Sequence, residues 1–247
     1  MKKPNNTTFT CVGINNAISI LRSKRFTVTN IDLLKNGRAE REEQLITLMN
    51  SMPVNHCEKN VFSHKYSQGK AQGIAITFSG TVFENDIPGY ADGKNVCLLV
   101  LDQVEDPQNF GQIIRTAECA GIDGIIIPKH HSASITESVL QVSQGAFVNM
   151  ALYEVTNLRH EFEQLKKNDF WIVGLENSID AKPWHTIQYT GKTVIVVGSE
   201  GRGIREKVLA SCDFKATIPM QGKTNSLNVS ATVAAIAFER LRQLQEV

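Results

Sequence analysis

Thr217-Ile218-Pro219-Met220-Gln221-Gly222-Lys223-Thr224-Asn225-Ser226-Leu227-Asn228-Val229-Ser230 is the stretch on which the fold turns. A short strand-like run, Lys215 to Ile218, stops at a proline. A polar turn with one glycine follows, and Ser226-Leu227-Asn228 then opens an apolar run from Val229 to Leu244. Proline after a strand and Ser or Asn before a helix are ordinary boundary chemistry. A polar loop between two strongly apolar elements sits where strand and helix ends converge. In open α/β sheets that edge is where ligands bind.

Upstream of this stretch the same alternation repeats. Val96 to Leu101 is almost wholly apolar, as for a strand buried on both faces. Helical spacing over Gly111 to Cys119, Ser134 to Ser143, Leu158 to Lys167 and Arg202 to Leu209 alternates with strand-like Gly124 to Pro128, Met150 to Val155, Trp171 to Leu175 and Thr193 to Val197. Six strands alternating with helices predict an α/β fold, a mainly parallel sheet with helices on both faces. The N-terminal part reads as a smaller α/β domain. Its first ten residues look like a loose tail. Helices are expected over Asn15 to Leu21 and Arg38 to Met49, and strands over Phe26 to Leu34, Val54 to Cys57 and Gly73 to Phe78, with Asn60 to Tyr66 ambiguous. The expected division is residues 1–80, a linker over 81–95 carrying Pro88 and three acidic residues, and 96–247.

The 247 residues are 42% apolar, enough for a substantial core. No apolar run approaches the length needed to span a bilayer. Five dispersed cysteines without a CxxC pair read as free thiols in a reducing cytoplasm. The net charge of +1 hides an asymmetry: residues 1–80 carry 11 Lys/Arg against 5 Asp/Glu, while residues 95–247 carry 14 against 17. A basic head on a mildly acidic body suggests polyanion contact at the head.

Three loops leave the buried-type strands with polar residues. The first, Asp102 to Gly111, carries an Asp106-Pro107 step and Asn109, positioned to cap a helix starting at Gly111, with Arg115 about one turn inside. The second, Val197-Gly198-Ser199-Glu200-Gly201-Arg202-Gly203, has three glycines that would let the backbone approach a ligand. It lacks the Lys-Ser/Thr of a Walker loop and the glycine spacing of a dinucleotide fingerprint, which disfavours an NTPase or a dehydrogenase. Glu200 would repel a phosphate, so a neutral or cationic ligand suits it better. The third loop is the opening stretch. The histidines (His56 with His64, and the His130-His131 pair) form no convincing metal cluster.

Together the loops resemble the three motifs of the SpoU-type RNA ribose methyltransferases of the SPOUT superfamily: Asp106-Pro-Gln-Asn-Phe-Gly-Gln-Ile-Ile-Arg-Thr-Ala117, Val197-Gly-Ser-Glu-Gly-Arg-Gly203 and Ile218 to Ser230, in that order. The match covers 96–247. The head resembles, more loosely, the ribosomal-protein-like RNA substrate-binding domain of many members, especially those that methylate a guanosine of 23S rRNA. It departs from them at Ala71-Gln72-Gly73 and Asn15. The resemblance implies a trefoil knot, S-adenosylmethionine held by main-chain groups at Gly198, Ile218 and Leu227, and no metal. It implies Arg115, Asn109, Glu200, Ser226 and Asn228 as the catalytic group. Arg115 would activate the 2′-hydroxyl, either accepting its proton transiently or gripping an RNA phosphate while another group takes it; a guanidinium ordinarily stays protonated, with a pKa above about 12.

The resemblance further implies a cytoplasmic homodimer, with one subunit's Arg115 beside the other's cofactor. Phosphate contacts are expected from Arg22, Lys24, Arg25, Lys35, Arg38, Lys65 and Lys70 of the head. A tRNA ribose methyltransferase, or a non-catalytic RNA-binding or ribosome-assembly protein on the same scaffold, is the alternative.

Overall fold

A computed structural model describes residues 7–66, 71–177 and 180–246. In chain order they form β1 (Thr7–Val12), α1 (Ile14–Arg22), β2 (Thr27–Leu34), α2 (Glu43–Met49), β3 (Asn55–Cys57), α3 (Lys59–Lys65) and β4 (Ile74–Gly80). There follow β5 (Phe83–Glu84), β6 (Val96–Asp102), α4 (Pro107–Cys119), β7 (Gly124–Pro128), α5 (Glu137–Val142), β8 (Leu152–Val155), α6 (Leu158–Lys167) and β9 (Trp171–Leu175). The chain closes with β10 (Lys182–Pro183), β11 (Lys192–Gly198), α7 (Glu206–Leu209), β12 (Phe214–Thr217) and α8 (Val229–Gln245).

The chain divides into two compact units. Ile135–Asn149, expected within 96–247, clusters with the residues up to Val82; Phe83–Ser134 and Met150 onward make the second unit. The first unit is a four-stranded sheet in the order β1-β4-β2-β3, with β4 antiparallel to both neighbours and β3 parallel to β2. Of the first ten residues, expected as a loose tail, 7–10 are therefore strand, and 1–6 lie outside the described residues. Phe9 and Cys11 alternate with threonines, and both are buried. The outer edge of β1 is closed by α5: Gln141 accepts from Val12 N at 2.8 Å and donates to Val12 O at 2.9 Å, and Glu137 accepts from Thr10 N at 2.6 Å. The carboxamide thus stands in for the backbone of a missing strand. Phe26, Phe78 and Phe147 pack with ring centroids 5.1–5.9 Å apart. The helix expected over Arg38 to Met49 is broken at Glu42, whose extended backbone separates a single 3-10 turn from α2. The ambiguous segment before Tyr66 is helical.

The second unit is an eight-stranded parallel sheet, β10-β12-β9-β11-β6-β7-β8-β5. The six expected strands are present, joined by two short ones at the sheet's edges; one of them, β5, lies in the expected linker. Every residue of β6 is buried. Val96, Leu98 and Val100 pack with Leu158, Phe162 and Leu165 of α6. The pleat sends Cys97, Leu99 and Leu101 to the opposite face, where α8 packs on β11 and α4. Both faces are covered, as a continuous apolar run requires.

The strand ends fix the loops that matter. Asp106 caps α4, accepting from Gln108 N at 3.2 Å and Asn109 N at 3.1 Å, with Pro107 as the first helical residue. The helix starts a turn earlier than expected, so Asn109 lies inside it rather than at its cap. At the other end of the chain Asn228 caps α8 through Ser230 N, at 2.8 Å.

Candidate active site

The C-terminal ends of β9, β11 and β12 open into a cavity of about 450 Å3. Gly198, Ile218 and Leu227 line it, and so do Glu200 and Ser226. Leu227 is 41% exposed at the cavity wall. Ile218, Met220 and Val229 supply more apolar wall, and Glu176, Asn177 and Thr232 supply polar groups.

The 199–203 loop is a closed turn. Ser199 N donates to Gly203 O at 3.2 Å, and Gly203 N donates back to Ser199 O at 2.9 Å. This self-contact dictates Gly198: a Cβ there would lie 2.0 Å from the Gly203 carbonyl carbon. Gly203 sits at φ +67. Of the loop's three glycines, Gly201 alone faces open space. The loop's return is anchored by Asp102, the fully buried last residue of β6, which accepts from Arg205 N at 2.8 Å and Arg205 Nε at 2.8 Å.

At the cavity's lip three motif residues converge. Glu200 Oε1 accepts from Asn109 Nδ2 and from Asn228 Nδ2, each at 2.6 Å, and Asn228 Nδ2 also donates to Asn109 Oδ1 at 3.0 Å. Asn109 is buried and belongs to a rigid helix, so the carboxylate is held in one orientation. The network extends through Ser230, whose hydroxyl lies 2.5 Å from Asn228 Oδ1 and 2.9 Å from Gln112 Oε1. Gln112 is one turn before Arg115 on α4. Arg115 is exposed and is absent from the cavity wall of its own chain; Glu200 is held by the two asparagines.

Glu176, Asn177, Gln112, Ser230 and Thr232 are not among the residues expected to carry the site. The first two follow β9 directly. Applying the strand-end rule to every strand, rather than to the three most polar loops, finds them.

In the first unit Arg22, Lys24, Lys35, Arg38 and Lys65 are exposed, and Arg25 is half-buried against the Phe26 ring and donates to Val82 O. Lys35 is paired with Glu58 at 2.5 Å. Lys65 and Tyr66 both donate to the buried Asp32, at 2.6 and 2.5 Å. Burial alone would raise the Asp32 carboxyl, but hydrogen bonds from Lys65, Tyr66, Asn30 and Asn55 outweigh it and hold the group well below the usual carboxylate range. Burial, then the bond to Asp32, pushes the Tyr66 phenol up to about 12. Lys70 lies outside the described residues. Among the described residues no group of three or more His, Cys, Asp or Glu is arranged to hold a metal, and no helix is long and apolar enough to cross a membrane.

Comparison with known proteins agrees with this geometry. A protein of Staphylococcus aureus (strain COL) assigned to the TrmH family of tRNA/rRNA methyltransferases is 40% identical over 150 residues, 61% of this chain and 60% of its own length. The chain thus spans about 60% of the curated relatives it matches. The structure of an AdoMet-bound rRNA methyltransferase from Sinorhizobium meliloti superposes with a TM-score of 0.77 at 21% identity, over 96% of this chain and 88% of that one. The A. aeolicus TrmH/SpoU tRNA modifying enzyme superposes with a TM-score of 0.57 at 28% identity, over 63% of this chain and 79% of that one. The model of the SpoU rRNA Methylase family matches residues 97–238, more than half the chain and all three polar loops, and the chain therefore belongs to that family.

Proposed function

We propose that the protein transfers a methyl group from S-adenosylmethionine to a ribose 2′-hydroxyl of RNA, a guanosine of 23S rRNA in the first instance. The observation that carries this is the meeting of Asn109, Glu200 and Asn228, up to 119 residues apart, beside a cavity lined by Gly198, Ile218 and Leu227. The residues fit the cofactor. Ile218, Met220 and Leu227 offer an apolar slot for an adenine, and the carboxylates of Glu176 and Glu200 favour a cation at the polar end. Bound there, S-adenosylmethionine supplies an electrophilic methyl group on a sulfonium. The protein's task is alignment: an in-line displacement needs the attacking oxygen about 3 Å from the carbon. Asn109 and Asn228 fix Glu200, and Ser226 completes the polar wall. Arg115 holds the RNA phosphate and polarises the hydroxyl; as the O–C bond forms, the methyl–sulfur bond would break to leave the neutral thioether S-adenosylhomocysteine, and the hydroxyl proton would pass to solvent water.

Arg115 performs this role in a homodimer, beside the partner subunit's cavity. In support, it is exposed and off the wall of its own cavity, and Phe238, on the α8 helix packed against α4, is 47% exposed. A trefoil knot would take its pass through the loop from Ile218 to Asn228; in support, β12 lies beside β9 while α8 packs against β11 and α4. The first unit, the residues up to Val82 with Ile135–Asn149, serves as the RNA-binding head. Its exposed Arg22, Lys24, Lys35 and Arg38 suit phosphates. The enzyme works in the cytoplasm. The name of the S. aureus relative includes tRNA, which keeps a tRNA ribose as the second substrate.

Incubation with methyl-labelled S-adenosylmethionine and either 23S rRNA or tRNA transcripts tests this. Label is expected at a 2′-oxygen, making that linkage resistant to alkali. Arg115→Ala should lose transfer and keep cofactor affinity. Cofactor binding without transfer to any RNA, by a protein that still binds RNA, would select the non-catalytic scaffold instead.

A further inference from the structure

A second cavity, of about 560 Å3, lies on the other side of the 199–202 segment. It shares Ser199 to Arg202 and Val229 with the first, so one stretch of chain walls both. Its volume falls within the roughly 300–1,000 Å3 of small-molecule seats. The remaining wall comes from the 103–106 loop, Asn109 and His131. Two of these residues, Gln103 at φ +63 and His131 at φ +58, hold a left-handed backbone without being glycine. Such conformations concentrate at binding sites. The two turns are tied together by Ala133 N donating to Val104 O at 2.8 Å, which brings His131 Nδ1 to 3.9 Å from Glu105 Oε1.

The carboxylates of this cavity differ in availability. Asp106 is engaged by the backbone at the start of α4, and Glu200 by two asparagines. Glu105 is exposed, with His131 as its neighbour at salt-bridge range. An ionised carboxylate only accepts hydrogen bonds, and it accepts best from two adjacent donors. Among the RNA bases only guanine presents two adjacent donors on its pairing edge, N1–H and the N2 amine. Adenine and cytosine set a donor beside an acceptor, and uracil flanks one donor with two acceptors.

We propose that this second cavity seats the base of the acceptor nucleotide, and that Glu105, steadied by His131, selects guanine through N1–H and the N2 amine. The proposal rests on the methyltransferase reading and deepens it. A base seated there keeps its ribose at the shared 199–202 wall, next to the Glu200 cluster and the donor cavity.

The test measures three quantities with the full chain: S-adenosylmethionine affinity by calorimetry, methyl transfer to 23S rRNA and tRNA transcripts, and the identity of the methylated nucleoside after digestion. The native protein should yield 2′-O-methylguanosine. Replacing the target guanosine by inosine, which lacks the N2 amine, should lower kcat/KM by roughly five- to a hundredfold, the span of a good bidentate base contact. Glu105→Gln pairs an acceptor with a donor and should move the preference toward adenosine; Glu105→Ala should lose preference. Cofactor affinity should stay unchanged in both. If the native protein methylates only another nucleoside, or if both variants methylate guanosine at the native rate, the base-selection proposal falls while the methyltransferase reading stands. If the native protein binds cofactor and methylates no RNA, that reading falls and the proposal with it.

Discussion

Arg205→Ala removes the guanidinium that lies 2.7 Å from Asp102 Oδ1, and leaves a fully buried carboxylate with one backbone donor, Arg205 N at 2.8 Å. Breaking a buried ion pair from one side costs about 3–5 kcal/mol. Here the arginine side chain is 43% exposed, so water screens part of the pair. Discounted for that, a cost of about 2–3 kcal/mol is expected. In a domain of this size it lowers the midpoint of thermal unfolding by roughly 5–10 °C. Most of that cost is the stranded charge rather than lost attraction. The double replacement Asp102→Asn with Arg205→Ala keeps an acceptor for the backbone N–H and removes the charge. It should therefore be more stable than Arg205→Ala alone, by about 1 kcal/mol. Urea denaturation followed by circular dichroism on the single and double variants supplies the comparison. A double variant no more stable than Arg205→Ala would show that an unpaired buried charge is not what the arginine prevents. The same pair anchors the 199–203 loop, so Arg205→Ala should also weaken S-adenosylmethionine binding.

Gly198→Ala places a methyl group 2.0 Å from Gly203. It should open the turn, cost about 1–3 kcal/mol as an overpacked site does, and abolish saturable cofactor binding. Glu200→Ala leaves the amides of Asn109 and Asn228 without their shared acceptor and removes a carboxylate from the cofactor cavity; the rate of transfer should fall at least tenfold in single-turnover assays, and cofactor affinity should fall as well. Asp32 ionises more readily folded than unfolded, so its contribution is complete above its unfolded pKa near about 4 and fades as pH falls toward the lower folded value. The destabilisation caused by Asp32→Asn should accordingly be flat above about pH 5 and shrink on acidification, as read from urea midpoints. Burial pushes the Cys97 thiol up to about 12 and the Cys11 thiol up as well, so neither should react with a disulfide reagent near about pH 8 until the protein is unfolded.

The second unit was the more readable part of the chain because its signals are local. A short unbroken apolar run such as Val96 to Leu101, repeated between helical stretches, reads as a strand covered on both faces, and polar residues crowded at the ends of such strands point to the ligand edge. The Asn109 role was misassigned for an equally local reason. Asp106-Pro107 already supplies the cap and the first helical residue, which moves Asn109 one turn inward and frees its amide for Glu200. Gly198 looked like room for a ligand, and the structure gives it a different necessity, contact with the loop's own return. What the sequence hid was long-range. Thr7–Val12 becomes a strand by pairing with β4 more than sixty positions away and by side chains of Glu137 and Gln141, beyond the reach of any window. Whether Leu227 faces solvent or core could not be inferred from hydrophobicity, since a ligand-covering residue and a core residue are chemically alike.

The borrowed clip on β1 has a consequence for biogenesis. While the nascent polypeptide is being made, the first sheet can assemble once Gly80 has emerged, yet its outermost strand still presents bare amides to the surroundings. Protection arrives only when Gln141 leaves the exit tunnel, several seconds later at elongation rates of about 5–20 residues per second. A fragment ending at Val82 should inherit that naked border permanently and tend toward self-association, whereas supplying Ile135–Asn149 as a separate peptide should blunt it.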